Sequence, residues 1–124
     1  MIQGEFRNEK SKLLYNTGID YALDLIGGKW KTIIIYLLSI KPRRTGELVK
    51  QLHISHKVLS EEMKQLIKIG LVNRKSYASI PPKVEYSLTE KGYDLYAVLR
   101  YLTVWGEEQA TKNPKVQIMC TDAM

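Results

Sequence analysis

At 124 residues, with 44% apolar and 26% charged side chains, the chain has the size and composition of one globular domain built on a single core. It contains no run of about eighteen apolar residues, which excludes a membrane-spanning helix. The charged N-terminus MIQGEFRNEKSK lacks the apolar stretch of a secretory signal, so the cytoplasm is the expected compartment. A lone cysteine, Cys120, excludes an intramolecular disulfide framework and a cysteine-rich zinc site. The net charge of +6 is unevenly placed: Lys29 to Glu85 holds twelve Lys and Arg against four acids, while each flank carries one excess negative charge. A basic surplus confined to one segment is the electrostatic footprint of phosphate contact.

Residues 1–16 carry mixed charge and an apolar cluster at Leu13, Leu14 and Tyr15, read as an arm or a short helix. Asp20 to Ile26 offers Tyr21, Ala22, Leu25 and Ile26 as a small helical face, stopped by Gly27-Gly28. Lys29 to Ile40 is the most apolar stretch. Its β-branched run also suits a strand, but Trp30, Ile33, Ile34, Leu37 and Leu38 follow the i, i+3, i+4, i+7, i+8 pattern of a buried helix. Lys41-Pro42-Arg43-Arg44 ends it as a turn bearing three positive charges.

A short helix over RTGELVKQL follows, and only His53 and Ile54 separate it from the next. That next helix, SHKVLSEEMKQLIKIG from Ser55 to Gly70, has Ser55 as its N-cap and Gly70 as its C′ residue. Leu59, Met63, Leu66 and Ile67 form its apolar stripe; His56, Lys57, Ser60, Glu61, Lys64 and Lys68 lie away from it. Two helices around so tight a corner predict a helix-turn-helix, with the second helix, about 55–69, presented to a DNA major groove. Ser55, His56, Lys57, Ser60, Glu61 and Lys64 occupy its first half, where side chains reach base edges. Lys57 or Lys64 suits guanine O6 and N7, and Glu61 suits a cytosine amino group. Spacing alone does not sort base contacts from phosphate contacts among them.

After Gly70 the periodicity changes to two. Leu71 to Tyr77 reads as one strand; a second has Val84, Tyr86 and Leu88 alternating with Lys83, Glu85 and Ser87, and Ala78 to Pro82 makes the loop between. A hairpin at about 72–88 directly behind a recognition helix is a wing, and its outward side is expected to carry Arg74, Lys75 and Lys83 toward phosphates or an adjacent minor groove. Arg43 and Arg44, at the entrance to the motif, join the expected DNA-binding set. Thr89 then caps a helix of about twenty residues, where Gly92, Leu95, Leu99, Leu102 and Trp105 recur at 3, 4, 3 spacing. So broad an apolar face predicts dimerisation through Leu95, Leu99, Leu102 and Trp105; the alternative is that the helix folds back on its own domain. Asn113-Pro114 ends it, leaving 111–124 as a loosely held tail. The expected fold is therefore α+β and mainly α: a single winged helix-turn-helix domain over 1–124.

IGGKWK at 26–31, GEL at 46–48, VLSEEMKQLIKIGLVNR at 58–74, PPKVEYSLTEKG at 81–92 and WG at 105–106 together resemble the HxlR family of bacterial transcription regulators, winged-helix relatives of the MarR group. The resemblance covers about 17–110. It implies a homodimer built through N- and C-terminal helices that binds double-stranded DNA at pseudo-palindromic operators, with some relatives responding to electrophiles or oxidants. Two departures stand out. Redox-sensing members carry a cysteine just ahead of the first helix, where this chain has Thr17-Gly18-Ile19, and the usual Arg-Phe before the Glu-Leu pair is here Arg44-Thr45.

Other constellations carry no chemistry. His53 and His56 lack flanking acidic or cysteine ligands for a metal, and the adjacent Glu61 and Glu62 diverge by about 100° on a helix and do not form an acid–base pair. Cys120 has no nearby histidine to activate it. No cofactor motif occurs, and an enzyme is not expected. Tyr21, Trp30, Tyr101 and Trp105 read first as core and interface residues; the alternative is an aromatic cavity for a small-molecule effector between the terminal helices and the DNA-binding core. A winged helix used purely for protein interaction remains the competing function.

Overall fold

The computed structural model describes residues 12–119 and the backbone of residues 6–7; Cys120 lies outside the described residues. Its first ladder is two residues long, β1 (Phe6–Arg7) against β2 (Leu13–Leu14), antiparallel. Within the segment read as an arm or short helix, the described residues Phe6–Arg7 and Leu13–Leu14 form this ladder, and Leu13 and Leu14 are exposed. Helix α1 (Gly18–Ile26) starts at a reciprocal capping box: the Asp20 amide donates to Thr17 Oγ1 at 3.2 Å and the Thr17 amide to Asp20 Oδ2 at 3.1 Å.

Helix α2 (Lys31–Ile40) is the centre of the core. Ile34, Ile35, Leu37 and Leu38 are fully enclosed. The helical expectation holds against the strand alternative, but the buried arc is completed by Ile35 rather than Ile33, which faces outward at its edge. Around α2 are Leu48 of α3 (Thr45–Leu52), Leu59, Met63 and Leu66 of α4 (His56–Ile69), Val72 of β4 (Val72–Tyr77) and Tyr86 and Leu88 of β5 (Lys83–Leu88). Ile67, expected on the α4 stripe, lies at its exposed margin.

The sheet has the order β3-β5-β4, all antiparallel, where β3 is Arg43–Arg44. The sequence reads these two residues as a turn; they instead pair with Tyr86 and Glu85 on the otherwise open edge of β5. Register places Val72 opposite Leu88, Arg74 opposite Tyr86, Lys75 opposite Glu85 and Tyr77 opposite Lys83. Among the described residues the fold is mainly helical, five helices beside this small sheet, as expected for a winged helix.

Helix α5 (Glu90–Thr111) begins at Thr89, whose hydroxyl accepts the Gly92 amide at 3.0 Å and donates to the Gly70 carbonyl at 2.6 Å. Gly92 lets the helix approach closely: a Cβ there would stand 2.3 Å from the Leu71 carbonyl oxygen. The first half of α5 lies against the chain's own core, so Leu99 is buried within the protomer and Leu95 is half-buried. Of the four residues expected at the dimer interface, these two already pack within the protomer, Leu99 lining an open groove beside Leu102. The stripe is broad enough to serve both ends: Tyr101 is 82% exposed, and Leu102 and Trp105 are each 59% exposed. No helix among the described residues is long and apolar enough to cross a membrane.

Candidate nucleic-acid interface

The recognition helix is set by its ends and its stripe. Ser55 Oγ accepts the Val58 amide at 3.1 Å, and Gly70 turns the chain through the left-handed region at φ 93°, a conformation that side chains with a Cβ adopt poorly. Between the caps, Leu59, Met63 and Leu66 point into the core. His56, Lys57, Ser60, Glu61, Lys64 and Lys68 are all exposed. At 3.6 residues per turn, Lys57, Glu61, Lys64 and Lys68 fall within an arc of about 60° on the side opposite the core. Lys68 extends the cationic line by one turn beyond the expected DNA-binding set, and helical spacing alone suffices to find it.

The corner before α4 is made by the backbone. His53 adopts φ 55°, closing α3 through its amide to the Val49 carbonyl, and the Ile54 amide also points at that oxygen. His53 thus shapes the turn. Among the described residues no group of three His, Cys, Asp or Glu side chains converges to hold a metal ion.

Strand register sorts the expected cations of the wing and its base. Val72 points into the core, so alternation sends Arg74 and Ser76 to the same side of β4, while Asn73, Lys75 and Tyr77 take the other. Arg74 therefore does not share an outward side with Lys75 and Lys83, although all three are exposed, and its guanidinium donates to Ser76 Oγ at 3.0 Å. On the second face, Lys75 Nζ lies over the Tyr77 ring, 4.9 Å from its centroid, and Tyr77 donates to Glu85 Oε1 at 3.1 Å. Arg44 pairs with Glu85 in register and so sits in one cross-strand row with Glu85 and Lys75.

Arg43 is the clearest correction. It pairs with the inward-facing Tyr86, is 2% exposed, and donates from Nε to the Leu37 carbonyl at 3.3 Å near the end of α2. Its guanidinium is committed to the interior, and its place in the expected DNA-binding set falls to its exposed neighbour Arg44 alone. A second cation of the basic segment is also withdrawn: Lys31, 8% exposed, makes an ion pair at 2.9 Å with Glu62 on α4. Nothing local in the sequence marks partners 31 residues apart.

Of the four aromatic residues, Tyr101 and Trp105 line one open groove of about 740 Å³ along α5, and Tyr21 and Trp30 are not part of its lining. Tyr21 is exposed and meets Tyr15 in a tilted pair, ring centroids 5.0 Å apart at 54°; Trp30 is half-buried against the core with Lys29 over its ring; Tyr101 is exposed. A second open groove, of about 310 Å³, lies between α2 and α5, lined by Thr32, Ile33, Tyr36, Tyr96, Leu99, Leu102 and Thr103. Thr17, at the position where the resemblance puts a sensing cysteine in redox-responsive members, is the N-cap of α1.

A capped helix with an exposed cationic face, a tight helical corner before it and a three-stranded sheet extended into a hairpin behind it define a winged helix-turn-helix of the DNA-binding regulator class. The chain belongs to the HxlR-like helix-turn-helix family, which matches residues 25–114. Over 108 residues it is 47% identical to an uncharacterized HTH-type transcriptional regulator of Halalkalibacterium halodurans, a match covering 86% of this chain and 95% of that one. Among solved structures it is similar to the redox regulator HypR in its reduced form, with a TM-score of 0.71, 36% identity and coverage of 74% of this chain and 92% of that one. It is also similar to the reduced form of the transcriptional regulator YodB from B. subtilis, with a TM-score of 0.66, 33% identity and coverage of 77% and 94%. These relatives are transcriptional regulators rather than enzymes, and this chain is a transcriptional regulator that binds DNA.

Proposed function

We propose that the protein regulates transcription as a homodimer on a pseudo-palindromic operator, each protomer seating α4 in a major groove and resting its wing on the adjacent backbone or minor groove. The observation that carries this reading is the line of Lys57, Glu61, Lys64 and Lys68 on the solvent side of α4, the helix whose opposite side is fixed in the core. Lysines at this spacing neutralise phosphates or donate to guanine edges, and Glu61 accepts from a cytosine amino group. Arg44, Lys75 and Lys83 extend the charge toward the wing.

Support for the dimer comes from the distal part of α5. Val98, Tyr101, Leu102, Val104 and Trp105 are exposed there, with Ile19 and Leu23 exposed on α1. Large apolar side chains at this density mark an interaction surface. Two-fold pairing would bring two α4 helices to half-sites about 34 Å apart, one turn of duplex. A small-molecule effector acting beside this interface would change that separation.

The test combines analytical ultracentrifugation with fluorescence-anisotropy titration of a duplex from the intergenic region beside the protein's own gene, set against a shuffled duplex. The expected result is a dimer that prefers the intergenic duplex and loses affinity steeply with salt. A monomer at working concentration, or equal affinity for both duplexes and for every fragment of a genomic library, overturns the reading. The competing role in protein interaction alone predicts that the Lys57→Glu, Lys64→Glu variant retains all function.

A further inference from the structure

The two halves of α4 are held differently. Its C-terminal end is fixed to the start of α5 by directional contacts: Lys91 Nζ donates to the Ile69 carbonyl at 2.8 Å and Thr89 Oγ1 to the Gly70 carbonyl at 2.6 Å. The N-terminal half carries Lys57, Ser60, Glu61 and Lys64. It is capped by its own neighbour Ser55 and rests on Leu59 and Met63, whose apolar contacts have no directional preference. Among the described residues, the body of this helix is tied to another element by the Lys31 Nζ to Glu62 Oε1 ion pair, with side chains only 10% and 20% exposed.

That pair is poorly explained by stability. Lys31 opens α2, whose N-cap Trp30 makes no side-chain bond and whose first turn holds no acidic residue. A cation at that end opposes the helix dipole. Removing the ammonium and carboxylate from water offsets much of their mutual attraction, so such a pair adds little net stability while selecting one geometry. Glu62 follows directly after Glu61, on the flank between the exposed cationic line and the buried stripe, where a tether best resists rotation of the helix.

We propose that Lys31 and Glu62 are positioning residues that set the roll of α4, and with it sequence selectivity, without touching DNA. A helix with its side chains is about 10–12 Å across, so a roll of about 20° sweeps the tips of Lys57, Glu61 and Lys64 through roughly 2 Å. Hydrogen bonds to base edges do not survive that displacement, whereas long lysines still find phosphates. The inference rests on the reading of α4 as the helix that enters the major groove.

The experiment compares Lys31→Met, Glu62→Gln and the exchange Lys31→Glu, Glu62→Lys with wild type, each well below its melting transition. Affinities are measured for the preferred duplex and for a shuffled one across salt, and backbone amide shifts of Ser55 to Lys64 are recorded without DNA. In the single variants the preference for the specific duplex is expected to fall about tenfold, the scale of one good base contact, with shuffled-duplex affinity and salt slope unchanged. Amide shifts should move along the N-terminal half of α4, and the exchange should recover both. A lowered melting temperature with selectivity and shifts intact means a structural pair only. A flatter salt slope in Lys31→Met means direct phosphate contact. Either result, or no change at all, overturns the proposal. If wild type itself shows no duplex preference, the operator reading fails, and the amide shifts still decide whether the pair sets the helix.

Discussion

Replacing Lys57 and Lys64 with glutamine removes two exposed cations from each protomer while leaving the apolar stripe of α4 untouched. Neither side chain is buried, so stability should stay within about 0.5 kcal/mol of wild type. Affinity for DNA should not. If both lysines neutralise phosphates in a dimer, four fewer counterions are released, and the log–log dependence of affinity on salt flattens by roughly 3.6. Between 50 and 200 mM salt, wild type then loses roughly 150-fold more affinity than the variant. The assay is anisotropy titration on one duplex over that range, with thermal melts as the folding control. A slope that falls by only half this amount assigns one of the lysines to a base edge instead. A slope and an affinity both equal to wild type refute the placement of this helix face on DNA.

Neighbouring Arg43 and Arg44 give an internal contrast. Arg44→Gln should flatten the salt slope of a dimer by about 1.8, whereas Arg43→Met, at a buried site with one hydrogen bond to the Leu37 carbonyl, should leave slope and affinity unchanged. Gly92→Ala should lower stability by about 1–3 kcal/mol, visible as a drop in Tm, because its methyl group would collide with the Leu71 carbonyl at 2.3 Å and press on Leu88. Thr89→Val keeps the shape of the side chain but loses the hydroxyl that accepts from Gly92 and donates to Gly70, and should cost about 1–3 kcal/mol in denaturant titration.

Much of the architecture was legible because it follows from periodicity and caps. Ser55, the 3.6-residue stripe of Leu59, Met63 and Leu66, and Gly70 bound the recognition helix within a residue of its observed limits. The alternation of Val84, Tyr86 and Leu88 likewise marked β5. The expectations that failed concern where individual side chains point. A two-residue strand has no period to read, so Arg43–Arg44 passed for a turn, and the opposite fates of adjacent arginines were hidden with it. Arg74 was different: counting by two from the apolar Val72 already separates it from Lys75. Leu95 and Leu99 belong to the stripe and pack within the protomer, because one apolar face on α5 serves the protomer's own core at one end and lies open at the other.

These misplacements share a cause that bears on how charge is read from a sequence. The surplus of eight positive charges between Lys29 and Glu85 treats every cation as surface. Arg43 is turned inward by its register against Tyr86, and Lys31 is engaged with Glu62, so neither adds to the field that DNA meets in the way an exposed lysine does. What remains outward is arranged by helical and strand geometry: Lys57, Lys64 and Lys68 along one side of α4, Arg44 and Lys75 flanking Glu85 across the sheet. Charge count indicates that a polyanion is bound, but the elements that bury Leu59, Met63 and Tyr86 decide which cations reach it. The core therefore specifies the interface, and a substitution that rotates α4 without altering its charge should change which sequence is bound more than how strongly DNA as such is held.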